Sequence, residues 1–242
     1  MRINKYLADK QYASRREADE LIKLGKVFIN GRKAVLGDQV TETDKIEVKN
    51  AGEDKKKVYY YAYNKPVGVV THSAQADEID IERAIKGQAP VRLFPIGRLD
   101  KDSHGLLILT NDGRITGKLL DPEEEHDKQY VVEVNRKMDS GIVGKLERGV
   151  LIEDGNGNRF KTKPCVVTPL TDKRFDITLT EGKKHQIRKM CESVGFQVTD
   201  LKRVRIMNIK LGHMQENTIR KIKGEELDEF LQDLGVRDIR AL

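Results

Sequence analysis

The stretch from Phe94 to Gly113 constrains the fold of this chain more than any other segment. Residues 106–110 form an apolar run that is followed by a turn signal, a pattern that predicts a buried β-strand. Arg98, Asp100 and Asp102 lie just before that strand. Unpaired charges are costly to bury, so this cluster either lies on a solvated loop or lines a functional site.

Several other segments have the apolar alternation or the helical spacing of short strands and helices. Strands are predicted over residues 59–63, 128–134, 164–167, 174–180 and 204–209, and helices over residues 79–85, 116–120, 142–146, 185–194 and 225–234. The strands do not alternate regularly with helices. This order favours an α+β fold with a mixed, largely antiparallel sheet.

The first fifty residues have the pattern of a small unit of their own. Ser14 and Glu17 form a capping-box pattern that predicts the start of a helix, and Asn30-Gly31 is a strong hairpin signal. Residues 51–57 are polar and contain no apolar anchor. We therefore expect one domain over residues 1–50, a linker over residues 51–57, and a second domain over residues 58–242.

The charge of the chain points to a polyanionic partner. Its net charge is +6 and its pI about 9.1. Residues 171–223 contain 13 Lys or Arg against 6 Asp or Glu, a net of +7, whereas residues 224–242 contain 2 against 6. One segment is therefore more positive than the whole molecule, as expected for a surface that follows an RNA backbone.

The cysteines and the apolar runs indicate the cellular compartment. Cys165 and Cys191 are far apart and lie in no metal-binding pattern, so we expect a reducing cytoplasm, no zinc site and no disulfide. A structural role for Cys191 is favoured over a catalytic thiol. No apolar run approaches the length of a membrane span, and the first residues lack a signal-peptide core.

Arg15 and Arg16 lie at the predicted start of a helix, where the helix dipole disfavours cations. They either form a solvated first turn or bind a phosphate, which suits both arginine and a helix N-terminus. The phosphate interpretation is favoured.

Three separated features carry groups suited to chemistry. Asp100 follows Arg98, Tyr130 lies in a Lys-x-Tyr strand, and Arg188 lies in a basic helix that follows Gly182. Each also has a structural interpretation, as a turn carboxylate, a core aromatic and a surface charge. The spacing alone does not show that they meet.

A resemblance connects these features. Residues 97–106 resemble the catalytic motif of the pseudouridine synthases, in the form found in the RsuA branch, which carries an N-terminal S4 RNA-binding domain. The other matching segments are Asn64-Lys65-Pro66-Val67-Gly68, Lys128-Gln129-Tyr130, Gly182-Lys183-Lys184-His185-Gln186-Ile187-Arg188-Lys189-Met190 and, for the S4 domain, Ser14-Arg15-Arg16-Glu17-Ala18 and Gly25-Lys26-Val27-Phe28-Ile29-Asn30-Gly31. Residues 94–103 and 205–208 are most similar to branch members that act on 23S ribosomal RNA.

The resemblance implies a uridine-to-pseudouridine isomerase that acts on structured RNA, most plausibly 23S rRNA, with 16S rRNA or tRNA as alternatives. It implies no cofactor, no metal, no membrane and a monomer. Asp100 would be the catalytic carboxylate, acting at C6 of the base or at C1′ of the ribose. Tyr130 would stack on the uracil and is the candidate for removing the C5 proton. Arg188 would pair with Asp100 and keep it ionised.

The resemblance also implies substrate-binding residues. Arg98 would contact phosphate or fill the space left by the flipped base, and Leu201 would form an apolar wall under that base. The residues expected to contact the RNA backbone are Lys65, Lys183 and Lys184 in the second domain and Arg15, Arg16 and Lys26 in the S4 domain. His185 and Gln186 would shape the site, and Asp102 would support the turn.

Two rival interpretations come from other functional classes. In the first, the chain is an S4 protein whose second domain is an inert RNA clamp; the presence of Asp100, Tyr130 and Arg188 speaks against it. Alternatively, Asp100 and Asp102 would be the paired carboxylates of a metal-dependent nuclease or a glycosidase. Two acids at this spacing without a nearby third ligand favour the second rival only weakly.

Overall fold

The computed structural model describes residues 1–10, 12–13, 15–49, 57–72, 74–155 and 157–236, without the side chains of Arg16 and Glu17. These residues form two compact units: Met1–Val58 with Asp112–Arg114, and Tyr59–Asn111 with Ile115–Leu242. The predicted linker, apart from Lys57, lies outside the described residues. The same holds for Ser14 of the predicted capping box.

The first unit packs two helices against a small antiparallel sheet. Its elements are α1 (Ile3–Asp9), α2 (Arg15–Lys23), β1 (Val27–Ile29), β2 (Arg32–Lys33) and β3 (Ile46–Val48), with strand order β2-β1-β3. Asn30 and Gly31 both have positive φ, at 50° and 81°, as a two-residue hairpin requires. The predicted hairpin is therefore confirmed, and Ile3, Leu7 and Val27 are buried in the core of this unit.

The second unit is built on one large sheet. In chain order its elements are β4 (Tyr60–Lys65), α3 (Ile81–Ala84), β5 (Phe94–Ile96), β6 (His104–Thr110), α4 (Arg114–Leu120), β7 (Lys128–Val134), α5 (Ser140–Glu147), β8 (Leu151–Glu153), β9 (Arg159–Lys161), β10 (Val166–Pro169), β11 (Arg174–Leu179), α6 (Gln186–Ser193), β12 (Val198–Ile206), β13 (Ile209–Lys210), β14 (Ile219–Lys221) and α7 (Glu225–Asp233).

The strands of the large sheet run in the order β10-β11-β7-β12-β6-β4-β14, and β5 and β13 pair with β6 and β12 at the side. Within the described residues, β12 and β6 are the one parallel pair in this sheet. The hairpin β8–β9 is separate. The predicted α+β fold with a largely antiparallel sheet is confirmed.

Strand β12 lies at the centre of the sheet and begins earlier than the sequence predicts. The predicted strand starts at residue 204, whereas the observed one starts at Val198. Asp200 and Lys202 interrupt the apolar pattern, but pairing with β7 on one side and β6 on the other holds this polar segment in the sheet. Tertiary pairing thus overrides a weak local preference for a strand.

The registers around β12 decide which residues become neighbours. Arg203 lies opposite Tyr130 of β7 and also opposite Gly105 of β6. Leu201 lies opposite Val132 on the same face, because strand side chains alternate with a period of two. Within the described residues, no helix is long and apolar enough to cross a membrane.

Candidate active site

Asp100 lies on a tight turn at the head of the buried strand β6. The amide of Ser103 donates a hydrogen bond to the Asp100 carbonyl (3.1 Å), and the amide of Gly68 donates to Lys101 (2.8 Å). The Asp100 side chain is 33% exposed, whereas Ser103 is fully buried. The charged cluster therefore lies on an accessible loop anchored to a rigid strand, which is a suitable support for a catalytic group.

Gly105 allows strand β12 to pass close behind this loop. Its φ is +102°, and a Cβ placed there would overlap the backbone of Arg203. A side chain at this position is therefore excluded on both conformational and steric grounds. The parallel pairing of β12 with β6, which starts at His104 and Gly105, depends on this glycine.

His185 lies beside the Asp100 carboxylate. Its Nε2 lies 3.5 Å from Asp100 Oδ1, and both side chains are partly exposed. His185 has a left-handed φ of 55° at the N-cap of α6, a conformation that is uncommon for residues other than glycine. The backbone at the start of α6 therefore places an imidazole beside the carboxylate.

Arg188 pairs with Asp102 and not with Asp100, so the predicted Arg188–Asp100 pair is wrong for this structure. Its Nη2 lies 3.0 Å from Asp102 Oδ2 and also donates to the Asp102 carbonyl and the Ser103 hydroxyl, at 3.2 Å each. The turn directs the Asp102 carboxylate toward α6, and the planar guanidinium bonds backbone and side chain together. Arg188 thus holds the same turn that presents Asp100.

Tyr130 lies on β7 with its ring partly buried. It packs against the apolar cluster that contains Leu201, Val132 and Ile187. Leu201 is buried beneath this face of the sheet. Tyr130 and Leu201, to which the resemblance gives contacts with the base, therefore belong to one apolar cluster.

Lys65 does not reach the surface, so the predicted contact between Lys65 and the RNA backbone is wrong. Its side chain is fully buried, and its Nζ donates to the carbonyls of Ser103 (2.8 Å) and Pro66 (3.0 Å). Burial lowers the pKa of Lys65 to about 8, although Asp100 and Asp102 act in the opposite direction. The buried strand β4 ends at this lysine and holds it against the backbone of the Asp100 loop.

The charge of Arg203 lowers the pKa of both Lys65 and Lys128. The sequence did not indicate Arg203, and it indicated Lys128 only as part of the Lys128-Gln129-Tyr130 motif. Arg203 is 4% exposed. Lys128 is partly buried, and its pKa is lowered to about 8 by burial and by the charge of Arg203. We call Lys65, Lys128 and Arg203 the cationic layer. The period-two alternation from Leu201 would have placed Arg203 on the same face, had the strand been predicted from Val198.

The remaining predicted site residues divide into exposed and buried ones. Arg98, Lys183 and Lys184 are exposed, which suits contact with RNA. Gln186 is buried; it accepts a hydrogen bond from the amide of Lys183 (2.9 Å) and donates one to Glu181 (2.6 Å). Gln186 therefore joins the residues of the turn before α6.

In the first unit, Arg15 is exposed at the first residue of α2, and Lys26 is half-buried just before β1. The Arg16 side chain lies outside the described structure. Cys165 and Cys191 are free thiols, and burial raises their pKa values to about 11 and about 12, so neither is an activated nucleophile. Within the described residues, no group of three or more His, Cys, Asp or Glu is arranged to hold a metal ion.

Comparison with known proteins identifies two families in this chain. Residues 59–193 match the RNA pseudouridylate synthase family, and residues 1–46 match the S4 domain. The chain is 38% identical to the dual-specificity RNA pseudouridine synthase RluF of Salmonella typhi, over 96% of this chain and 78% of that protein. It is 36% identical to ribosomal large subunit pseudouridine synthase B of Bacillus subtilis (strain 168), over 93% of both chains.

A solved structure supports the same assignment. The crystal structure of a pseudouridylate synthase superposes with a TM-score of 0.69 at 26% identity, covering 97% of this chain and 99% of that chain. With 97% of this chain covered, the match extends over both units. The chain therefore belongs to the RNA pseudouridylate synthase family and carries an S4 domain at its N-terminus.

Proposed function

We propose that this protein converts a specific uridine of ribosomal RNA to pseudouridine, with 23S rRNA as the main substrate. One observation carries the proposal: an accessible carboxylate, Asp100, lies on a rigid turn whose backbone is joined through Arg203 to the face of Tyr130. The names of the relatives support the RNA class. One of them is a ribosomal large subunit enzyme.

The reaction is an isomerisation, so the site has to supply no atoms. The C1′–N1 bond of uridine breaks, a C1′–C5 bond forms, the proton on C5 leaves, and N1 carries a proton in the product. Asp100 takes part in this rearrangement as a nucleophile or as a stabilising negative charge, at C6 of the base or at C1′ of the ribose. We expect the reaction to need neither a cofactor nor a metal ion.

We assign the other roles around the flipped base as follows. Tyr130 stacks on the uracil and removes the C5 proton, while Leu201 forms the apolar wall. Arg188 acts through the turn: by holding Asp102 and Ser103 it fixes the direction of Asp100. Arg98 contacts phosphate or fills the vacated space in the RNA, where an exposed guanidinium is well suited to either task.

RNA affinity comes from two domains in this proposal. Residues 1–50 act as the S4 domain, residues 51–57 as the linker, and residues 58–242 as the catalytic domain. Arg15, Arg16 and Lys26 contact phosphates in the S4 domain; Lys183 and Lys184 do so beside the active site. The two domains raise each other's effective concentration on one RNA.

A second RNA substrate is favoured by a specific observation: the relatives at 37–38% identity are named dual-specificity RNA pseudouridine synthases. We propose tRNA as the class to test, with 16S rRNA as the alternative ribosomal substrate. The enzyme acts as a monomer in the cytoplasm.

The deciding experiment is incubation of the purified protein with 23S rRNA, 16S rRNA and tRNA in parallel, followed by chemical mapping of pseudouridine. Wild-type protein should modify one or a few sites, mainly in 23S rRNA. RNA cleavage or release of free uracil would favour the nuclease or glycosidase alternative. RNA that is bound but unmodified would favour the inert clamp.

A further inference from the structure

Arg203 is a fully enclosed arginine at the centre of the catalytic unit. Its Nε donates a hydrogen bond to the carbonyl of Leu106 (2.7 Å), and its Nη1 donates to the carbonyl of Arg98 (3.3 Å). The guanidinium carbon lies 6.0 Å from the centroid of the Tyr130 ring, a cation–π distance. Three separate segments therefore meet at one side chain.

This arrangement is poorly explained by stability alone. Arg203 makes no ion pair with a carboxylate within the described residues, and its Nη2 has no hydrogen-bond partner although it is buried. Lys65 and Lys128 add positive charge nearby, since Arg203 lowers the pKa of both. Burying an arginine without a counter-ion is costly, so an apolar side chain would stabilise this position better.

The contacts of Arg203 all lead to groups that the reaction uses. The Arg98 carbonyl lies two residues before Asp100, on the loop that carries the carboxylate. The Leu106 carbonyl belongs to β6, on which that loop is anchored. The Tyr130 ring is the proposed stacking partner of the base. A planar guanidinium bonds two carbonyls in fixed directions while its face remains available to an aromatic ring.

We propose that Arg203 is a positioning residue: it fixes the ring of Tyr130 relative to the loop that carries Asp100. This proposal rests on the functions proposed above for Asp100 and Tyr130. Arg203 itself is only 4% exposed, so it acts through its neighbours. Its contribution is therefore to the rate of the chemical step and not to RNA affinity, because a misplacement of about 1 Å can cost about 100-fold in rate.

The test uses full-length Arg203→Lys and Arg203→Met. Lysine keeps the charge but cannot bond both carbonyls in the plane of a guanidinium; methionine keeps the apolar stem and removes the charge. Arg205→Lys is the matched control on the same strand, because Arg205 bonds Gln129, Asp127 and the carbonyl of Met207 instead. Single-turnover pseudouridine formation, the Kd for 23S rRNA and the melting temperature are measured for each.

We expect Arg203→Lys to lower the single-turnover rate by about 10- to 100-fold and Arg203→Met by at least as much. The Kd for RNA should stay within about twofold of wild type, and Arg205→Lys should keep the wild-type rate. An unchanged rate in folded Arg203→Lys, or a rate loss matched by an equal loss of RNA affinity, would overturn the positioning role.

Other outcomes separate a failure of the positioning role from a failure of the proposed function. If both Arg203 variants fail to fold, the residue serves stability, and the positioning role is rejected. If wild type and Arg205→Lys form no pseudouridine in any RNA, the proposed function fails and the inference fails with it. An active wild type beside an unaffected Arg203→Lys rejects the inference alone.

Discussion

The charged groups at the rim of the site (Asp100, Asp102, His185 and Arg188) lie close to solvent, whereas those of the cationic layer are buried or partly buried. At the rim, Asp100 and His185 are partly exposed, and Asp102 pairs with Arg188 close to solvent. In the layer, Lys65 and Arg203 are almost fully enclosed and bond mainly to backbone carbonyls. The rim is therefore free to meet RNA, while the layer holds the backbone of the rim in place at an electrostatic cost.

The largest expected effect belongs to the rim. Asp100→Asn should lower pseudouridine formation by at least about a thousandfold, because the proposed catalytic carboxylate is lost while the fold is unchanged. The matched variant is Asp102→Asn, whose carboxylate lies two residues away and pairs with Arg188; it should lose far less. Chemical mapping after single turnover measures both. Equal losses would mean that the turn and not Asp100 carries the chemistry.

Tyr130 contacts the layer through Arg203, so its variant tests what the ring contributes beside that layer. Tyr130→Phe keeps the ring against Arg203 and Leu201 but removes the hydroxyl. We expect a rate loss of about 100-fold, as is typical for the loss of a positioned acid–base group, with RNA affinity retained. A variant with the wild-type rate would leave Tyr130 only its stacking role.

The layer should be visible in the pH dependence of stability. The pKa of Lys65 is lowered to about 8 from an ordinary 10.5, so the unfolded chain binds more protons between those values. The lysine therefore becomes less destabilising as the pH rises from about 8 to about 10.5. Relative to Lys65→Met, wild type should gain a few kcal/mol of unfolding free energy across this window, at about 1.4 kcal/mol per pKa unit.

Urea unfolding of both proteins at several pH values measures that gain. Lys183→Met serves as the control, because Lys183 is exposed and this variant keeps Lys65. Its unfolding free energy should therefore change with pH as that of wild type does. The same slope in wild type and Lys65→Met would remove Lys65 from the layer.

The smallest effect is expected from single exposed lysines just before α6. Lys184→Ala should weaken RNA binding uniformly across sequences and reduce the salt slope of binding by about one, while the chemical rate at saturating RNA stays near wild type. Binding titrations at several salt concentrations provide the measurement. A changed rate with an unchanged salt slope would contradict a backbone contact.

The sequence predicted much of the fold because local patterns carried it. The hairpin at Asn30-Gly31 and the strand over residues 128–134 follow from turn chemistry and alternation. The early start of β12 did not, since Asp200 and Lys202 interrupt its pattern and only pairing with β6 and β7 holds it in the sheet.

By itself, the sequence determined which residue types were available for chemistry: a carboxylate before a buried strand, a tyrosine in β7 and a basic helix start. Only the tertiary structure decided which charges meet. It paired Arg188 with Asp102, buried Lys65 under the loop, and placed Arg203 against Tyr130. The physical reason is that burial and pairing depend on strand register, which brings together residues from distant parts of the chain.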